Sequence, residues 1–272
     1  MVTPDPAPFP DLRIVHTDSL HAHEEHDSQR SMPLIERLST AEFMINPPVV
    51  TPLGASRYVI LDGANRAHAF QALGYPHILV QVVSYDSGQV ELRTWNHIVS
   101  DWSADEFRGQ LDDLPEVELT NGQHTRALAH VLLRDGRVFA VRSPIQLSSE
   151  RNAALRRVVS IYQRRATLQR SAELEPDQAW LLYPQAFTLI TFPALRPADI
   201  ITAARSKAFI PPGISRHIVH GRALRVNYPM ALLRDTETKL GDKNHALHTW
   251  LQARLATRQV RFYAEASYLF DE

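Results

Sequence analysis

A mixed α/β chain of two domains is the fold class this sequence predicts, and three observations predict it. Hydrophobic residues make up 44% and charged residues 22% of 272 positions, ample for sizeable cores and long for one compact domain. Short apolar runs with strand character alternate with segments of helical spacing. One such run, Arg57 to Leu61, passes through a glycine turn directly into a helix, the kind of junction around which an α/β unit is organised.

The elements follow in chain order. Leu12 to Thr17 alternates apolar and polar residues and predicts a short strand. The polar run His21 to Asp27 leads into a helix that Asp27 or Ser28 can cap, with Met32, Leu34, Ile35 and Leu38 on its apolar face and Pro33 in its first turns. Pro47 and Pro48 end that unit before a strand at Val49 to Thr51. Arg57 to Leu61 is a strongly apolar strand closed by Asp62 and Gly63. Asn65 to Leu73 is helical, with Gly74 as its C-terminal glycine and Pro76 barring continuation. His77 to Val83 and Gln89 to Trp95 predict strands around an Asp86-Ser87-Gly88 turn. Trp102 to Thr125 predicts a helix with connecting loops. A second unit then holds a strand at Arg137 to Arg142, a long helix from Ser148 to Leu168, a helix at Pro197 to Ser206 and a strand at Ala223 to Asn227. A helix at Asp242 to Arg258 and a strand at Gln259 to Phe270 complete it. The domain boundary is set at 100/101.

Composition narrows the function. No cysteine is present, which removes disulfides, thiolate metal sites and thiol nucleophiles. Net charge is −1, from 29 basic and 30 acidic residues, where a dedicated nucleic-acid binder carries a basic excess. No apolar run approaches the ~20 residues of a membrane span. The proline-rich Met1 to Pro10 lacks a secretory pattern, so a cytoplasmic protein is expected.

The sharpest local signal is Asp62-Gly63-Ala64-Asn65-Arg66. A buried strand ends, glycine permits a tight turn, and a helix starts with its N–H groups free, which makes an anion site. Arg66 adds a forked cation suited to phosphate oxygens. Read on spacing alone, the same residues also fit a plain strand–turn–helix junction, with Asp62 as a cap and Arg66 solvated.

Asp62-Gly63-x-x-Arg66 with Ala69, Leu73 and Gly74 resembles the DGxxR-helix-LG signature of the ParB/sulfiredoxin superfamily, where this turn holds nucleotide phosphates. Three further segments resemble the free-serine kinases of that superfamily, notably the branch serving staphyloferrin B siderophore biosynthesis. They are Leu20-His-Ala-His23-Glu24-Glu25, Arg93-Thr94-Trp95-Asn96-His97, and Ile210-Pro211-Pro212-Gly213-Ile214-Ser215-Arg216-His217 followed by Gly221-Arg222-Ala223-Leu224. The run from Asn227 to Phe270 is similar as well. The resemblance spans about Leu12 to Phe270 and is weakest between Asp101 and Leu195. Asn65 stands where those kinases usually carry histidine, so a role needing an imidazole there is in doubt.

The resemblance implies an N-terminal ParB/sulfiredoxin-like nucleotide-binding domain (1–100) and a second mixed α/β domain (101–272) that completes the substrate site. It implies phosphoryl transfer from ATP or ADP to the L-serine hydroxyl. Glu24 would be the base and Asp62 a second catalytic residue. Gly63, Ala64, Asn65 and Arg66 would bind phosphate, and Trp95, Asn96, His97, Ser215 and Arg216 the substrate. Mg²⁺ would be held mainly by the phosphates, with Asp62 as a further contact. L-serine and nucleotide are the expected partners, a homodimer is left open, and neither membrane nor nucleic acid is expected.

Each residue also has a plain reading: Glu24 as a solvated acid, Trp95 as core, Arg216 as surface. His21, His23 and His26 form only a weak metal-ligand pattern. The arginines at 151, 156, 157, 164, 165 and 170 read as the solvated side of a helix. A ParB-like DNA-binding regulator is the alternative function, opposed by the acidic stretch Asp105, Glu106, Asp112, Asp113, Glu116 and Glu118. A member that binds without chemistry is the third, favoured by Asn65.

Overall fold

The structure is a computed structural model and describes residues 9–25, 28–145, 147–173 and 175–263. In chain order the first elements are β1 (Asp11–His16), β2 (Leu20–Ala22), α1 (Ser28–Ser39), β3 (Phe43–Met44), β4 (Val49–Gly54), β5 (Arg57–Asp62), α2 (Ala64–Ala72), β6 (His77–Val82) and β7 (Val90–Thr94). Then come β8 (Asn96–Ser100), α3 (Ala104–Asp112), β9 (Glu118–Asn121), β10 (Ala129–Leu133), β11 (Val138–Arg142), α4 (Ser148–Gln163), β12 (Thr167–Ser171), α5 (Pro176–Leu182) and β13 (Ala186–Thr191). The last are α6 (Pro197–Ser206), β14 (Ser215–Val219), β15 (Tyr228–Pro229), α7 (Met230–Arg234) and α8 (Leu240–Ala256).

The chain packs as two units that are not consecutive in sequence. Unit 1 takes Met1–His21, His26–Glu91 and Val219–Glu272; unit 2 takes Ala22–Glu25 and Leu92–Ile218. The division expected at residue 100 follows order along the chain, whereas contact returns the last fifty residues to the first unit and lends Ala22–Glu25 to the second.

Unit 1 is built on a sheet of strand order β1-β6-β4-β5-β2. β1 runs antiparallel to β6 and β5 antiparallel to β4, whereas β4 runs parallel to β6. Every residue of β6 is buried, and after His77 its sequence is an apolar run broken only by Gln81. The exposed edge at β1 is closed by a side chain: the Asn244 amide accepts from the Ile14 N–H and donates to the Ile14 C=O, both at 2.9 Å, as a neighbouring strand would. One helical position away, Lys243 is buried with its ammonium on the Leu232 carbonyl at 2.7 Å, the Asp235 carbonyl at 2.5 Å and His77 Nδ1 at 3.3 Å.

Unit 2 is a sheet of order β12-β8-β13-β10-β11-β9 with antiparallel neighbours throughout. β8 is wholly buried. Helix α4 turns Ala154, Val158, Val159 and Tyr162 inward, the spacing of one helical face. Tyr162 and Phe107 meet edge to face at 5.9 Å, and Phe107 meets Phe187 at 5.8 Å.

Four expected elements differ. The helix expected to reach Leu168 ends at Gln163, and Thr167–Ser171 instead pairs with β8; the pairing available across the sheet overrides helical propensity. The strand expected over Gln89 to Trp95 stops at Thr94, and a separate strand starts at Asn96. Ala223 to Asn227 is a loop, because Arg225 and Asn227 adopt left-handed φ of 50° and 53° that no strand tolerates. Residues 259–263 are not a strand, and the remainder of that expected element lies outside the described residues.

Candidate active site

Two clusters of functional groups form, one in each unit. In unit 1, β5 delivers Asp62 to the turn at Gly63, which caps α2 from a left-handed φ of 91°. A Cβ on Gly63 would lie 3.0 Å from Pro48 Cβ and 3.1 Å from Arg66 Nη2, so the turn admits glycine on both conformational and steric grounds. Ala64, Asn65 and Arg66 form the first turn of α2, with its N–H groups leading. Arg66 is braced by the Asn46 carbonyl at 2.8 Å and reaches Asp62 Oδ2 at 3.4 Å.

The same Asp62 oxygen takes a second guanidinium, that of Arg222. The loop carrying Arg222 is tied down by Gln81, whose amide accepts from the Ala223 N–H at 2.9 Å and donates to the Gly221 C=O at 3.0 Å. Burial alone would raise the Asp62 pKa, but Arg222, then Arg66 and the Gly63 N–H outweigh it and hold the carboxyl below its ordinary value. The turn therefore presents two arginines, one fixed carboxylate and a helix N-terminus.

In unit 2 the short segment around Glu24 lies beside Ile210, with the Ile210 N–H on the His23 carbonyl at 2.9 Å. That docking puts the Glu24 side chain, 16% exposed, against the turn that follows. Glu24 Oε2 accepts from the Gly213 N–H at 3.0 Å; Oε1 accepts from the Ser215 N–H at 3.1 Å and from the Ser215 hydroxyl. His23 Nε2 lies 2.8 Å from Ser215 Oγ and 3.6 Å from Glu24 Oε1. Since the Ser215 proton is spent on a carboxylate, which only accepts, His23 donates from Nε2 to Ser215 Oγ. Burial would raise the Glu24 pKa; His23, Ser215 and the Gly213 N–H together outweigh it and lower it, so the carboxylate is ionised at neutral pH.

The remaining expected residues separate. Arg216 stacks on the Trp95 ring, guanidinium carbon 4.3 Å from the centroid, and both are half-buried. Asn96 and His97 lie inside β8, at 1% and 0% exposure, and do not line a surface. Asn96 donates to the Glu173 carbonyl at 2.8 Å. Ser215, expected on the substrate, instead braces Glu24. Two arginines expected on a solvated helix face make specific contacts: Arg156 pairs with Glu25 at 3.1 Å and donates to the Phe209 carbonyl, and Arg170, exposed on β12, lays its guanidinium against Gly213.

Sequence reasoning passed over Arg222, His23 and Arg170. Arg222 sits in a segment already singled out, but its partner lies 160 residues away and no local pattern announces it. His23 adjoins Glu24, and its alternation with His21 drew attention to metal binding. Among the described residues no three histidine, aspartate or glutamate side chains converge on a metal position.

The structure thus presents a turn with two arginines and a half-buried, ionised carboxylate, and comparison with known proteins finds chains it resembles. No family model matches the chain. It is 24% identical over 263 residues, 96% of this chain and 97% of the relative, to the ATP-dependent L-serine kinase SbnI of Staphylococcus aureus. A local match of 36% over 83 residues, 30% of this chain and 32% of the relative, is to an ATP-dependent L-serine kinase of Desulfurococcus mucosus. Among solved structures, C-terminally truncated SbnI of Staphylococcus aureus superposes with a TM-score of 0.71 at 21% identity, covering 91% of this chain and 97% of that one. A free serine kinase in complex with AMP gives 0.72 at 14%, covering 86% and 98%. The chain has the fold of the free serine kinases.

Proposed function

We infer that the chain is a kinase of free L-serine that moves a nucleotide phosphoryl group to the serine hydroxyl, giving O-phospho-L-serine. Glu24 carries the reading. It is a carboxylate held ionised in a half-enclosed setting, within the segment that resembles the serine kinases, and similarity to SbnI runs over 96% of the chain.

Phosphoryl transfer asks the protein for two things: groups that hold and neutralise phosphate, and a base that takes the hydroxyl proton. Unit 1 supplies the first, through Arg66, Arg222 and the N–H groups of Ala64 and Asn65. Unit 2 supplies the second. Of the two Glu24 oxygens, Oε1 accepts both the N–H and the hydroxyl of Ser215, whereas Oε2 accepts the Gly213 N–H. Oε2 therefore has room for the substrate hydroxyl. The serine O–H bond breaks toward Oε2 as serine oxygen bonds to phosphorus, and the bridging oxygen of the nucleotide departs with its electron pair. A low carboxylate pKa suits a loose transition state, in which the proton moves late and the base mainly orients the hydroxyl.

Arg216, held over the Trp95 ring, can direct its N–H groups to a carboxylate or phosphoryl oxygen. The Asp62 turn offers a carboxylate already committed to two arginines; Mg²⁺ would be held mainly by the phosphates, with Asp62 the side chain able to contact it, and would neutralise phosphate charge. The substrates are cytoplasmic metabolites, and we place the enzyme there. Siderophore or other amino-acid-derived metabolite synthesis is the use its motifs suggest.

The test incubates purified protein with L-serine, Mg²⁺ and either ATP or ADP and detects phosphoserine by mass spectrometry. Product from the native chain, reduced about 10²- to 10⁴-fold in Glu24→Gln with nucleotide binding retained, is the expected result. No product from the native chain with either nucleotide sinks the kinase reading, and product undiminished in Glu24→Gln removes Glu24 as the base.

A further inference from the structure

His97 was expected to touch substrate, and its surroundings assign it other work. Its ring is fully buried, with Nδ1 2.7 Å from the Tyr162 hydroxyl and Nε2 3.1 Å from the Gly213 carbonyl. A carbonyl only accepts, so Nε2 carries the proton and Nδ1 receives the Tyr162 O–H. The tautomer is thereby fixed. Burial, with Arg170 adding to it, pushes the imidazole pKa down to about 4, so the ring stays neutral and keeps this arrangement across the physiological range.

The partner matters because Gly213 is gripped through both backbone groups. Its C=O is held by His97 and its N–H by Glu24 Oε2. The 213–214 peptide that His97 anchors lies between the two N–H donors, Gly213 and Ser215, that fix the carboxylate. Gly213 has a left-handed φ of 81° and no side chain to limit its backbone, so an external hold is what selects one conformation. Phe192 meets the other side of the imidazole edge to face at 4.9 Å and keeps the ring from swinging.

Resting on the kinase reading for its catalytic consequence, we propose that His97 is the positioning residue of this active site, holding the Gly213 backbone so that its N–H points at Glu24 Oε2, the oxygen that receives the substrate proton. The chain of support runs Tyr162 O–H, His97, Gly213 and Glu24, from α4 through the buried strand β8 to the base. His97 itself is fully buried and offers no surface to substrate.

The charged and titratable groups facing Glu24 are few. His23 lies beside it on its own segment, with the His217 ring 5.6 Å from His23. From β12, Arg170 covers Gly213; from α4, Arg156 is occupied by Glu25. Loss of the His97 donor should let Gly213 relax and weaken its N–H bond to Glu24.

The experiment follows the Glu24 carboxylate directly. Glutamate labelled with ¹³C at the carboxyl carbon is titrated by NMR in the native chain, His97→Phe, His97→Gln and Tyr162→Phe, with the Glu24 signal identified by its loss in Glu24→Gln. Phosphoserine kinetics are measured on the same samples, and nucleotide binding reports that each variant is folded. In His97→Phe the Glu24 signal should titrate at higher pH than in the native chain, with kcat down roughly threefold to tenfold and KM for nucleotide unchanged. His97→Gln, whose amide can donate to Gly213, should lie nearer the native chain in both respects. Tyr162→Phe, a milder change should His97→Phe not fold, should shift Glu24 the same way by less. Glu24 titrating alike in the native chain and in the Phe variants overturns the proposal, as does a Gln variant no better than Phe. A native chain that makes no phosphoserine defeats the kinase reading alone, since the titration still tests the hold on Gly213.

Discussion

Ser215→Ala probes the same carboxylate from its other oxygen. In the native chain Glu24 Oε1 accepts two bonds from Ser215, from the backbone N–H and from the hydroxyl; the substitution deletes only the hydroxyl. The Glu24 pKa is lowered in the fold because its donors outweigh burial. A carboxylate of that kind stabilises the protein above its unfolded pKa, and the stabilisation is lost as pH falls through the folded pKa. A hydrogen bond to a charged group contributes ~1.5–3 kcal/mol net. His23, already 3.6 Å from Oε1, is free of its Ser215 bond in the variant and can recover part of that. The expected loss at neutral pH is therefore toward the lower end, about 1.5 kcal/mol. It should shrink steadily in acid, where Glu24 becomes protonated in both proteins. Urea unfolding followed by tryptophan fluorescence, repeated from neutral pH down to the onset of acid unfolding, measures the difference. The acid limb of the kcat/KM profile for phosphoserine formation should move to higher pH in the variant. A stability loss of equal size at every pH, with an unmoved acid limb, would refute the assignment of the Ser215 hydroxyl to ionised Glu24.

Three further outcomes are expected. Arg222→Lys keeps the charge and loses the fork on Asp62, so nucleotide affinity measured by calorimetry should weaken roughly fivefold to thirtyfold, equivalent to about 1–2 kcal/mol; unchanged affinity removes Arg222 from the phosphate turn. Gly63→Ala should cost more stability than Gly74→Ala. Both positions have positive φ, a backbone cost of about 1–2 kcal/mol, but a Cβ meets Pro48 and Arg66 at Gly63 and open space at Gly74. Thermal unfolding measures the gap, and only the Gly63 variant should also lose nucleotide affinity. Lys243→Met strands the Leu232 and Asp235 carbonyls and should destabilise the chain by about 1–3 kcal/mol in urea, with no change in serine KM if the fold persists.

The parts legible in the sequence were those whose physics is local. The turn at Asp62-Gly63 and helix α2 could be read from an apolar strand, a glycine and a C-terminal glycine because each acts on its immediate neighbours; Gly74 indeed has φ 69°. Helix α6 was expected at the residues it occupies, Pro197–Ser206, since proline at its start and helical spacing declare it. Strand β12 was hidden because its reason for being a strand is β8, some seventy residues earlier. Strands β10 and β13 went unread for the same reason. At the candidate site, Glu24 was found through a resemblance and not through its chemistry. An acid next to an acid, between histidines, looks solvated until the turn at Gly213 is laid against it. His97 was singled out as substrate-facing, yet it is fully buried in β8, because a sequence motif marks a residue without saying which side of a sheet it occupies.

The reach of the two clusters along the chain has a consequence for how the protein is made. Glu24 meets Ser215 across 191 residues, and Asp62 meets Arg222 across 160. On the ribosome both acids emerge well before their partners are translated. The Glu24 centre cannot form until residue 215 has been made, nor the Asp62–Arg222 pair until residue 222, however well the sheets have formed. Such distant closures slow folding and lengthen the interval in which half-built sheets are exposed. They also make the two clusters close almost together, within the same few residues of synthesis, so that the groups we propose for phosphate capture and proton acceptance are completed in one short stretch of translation.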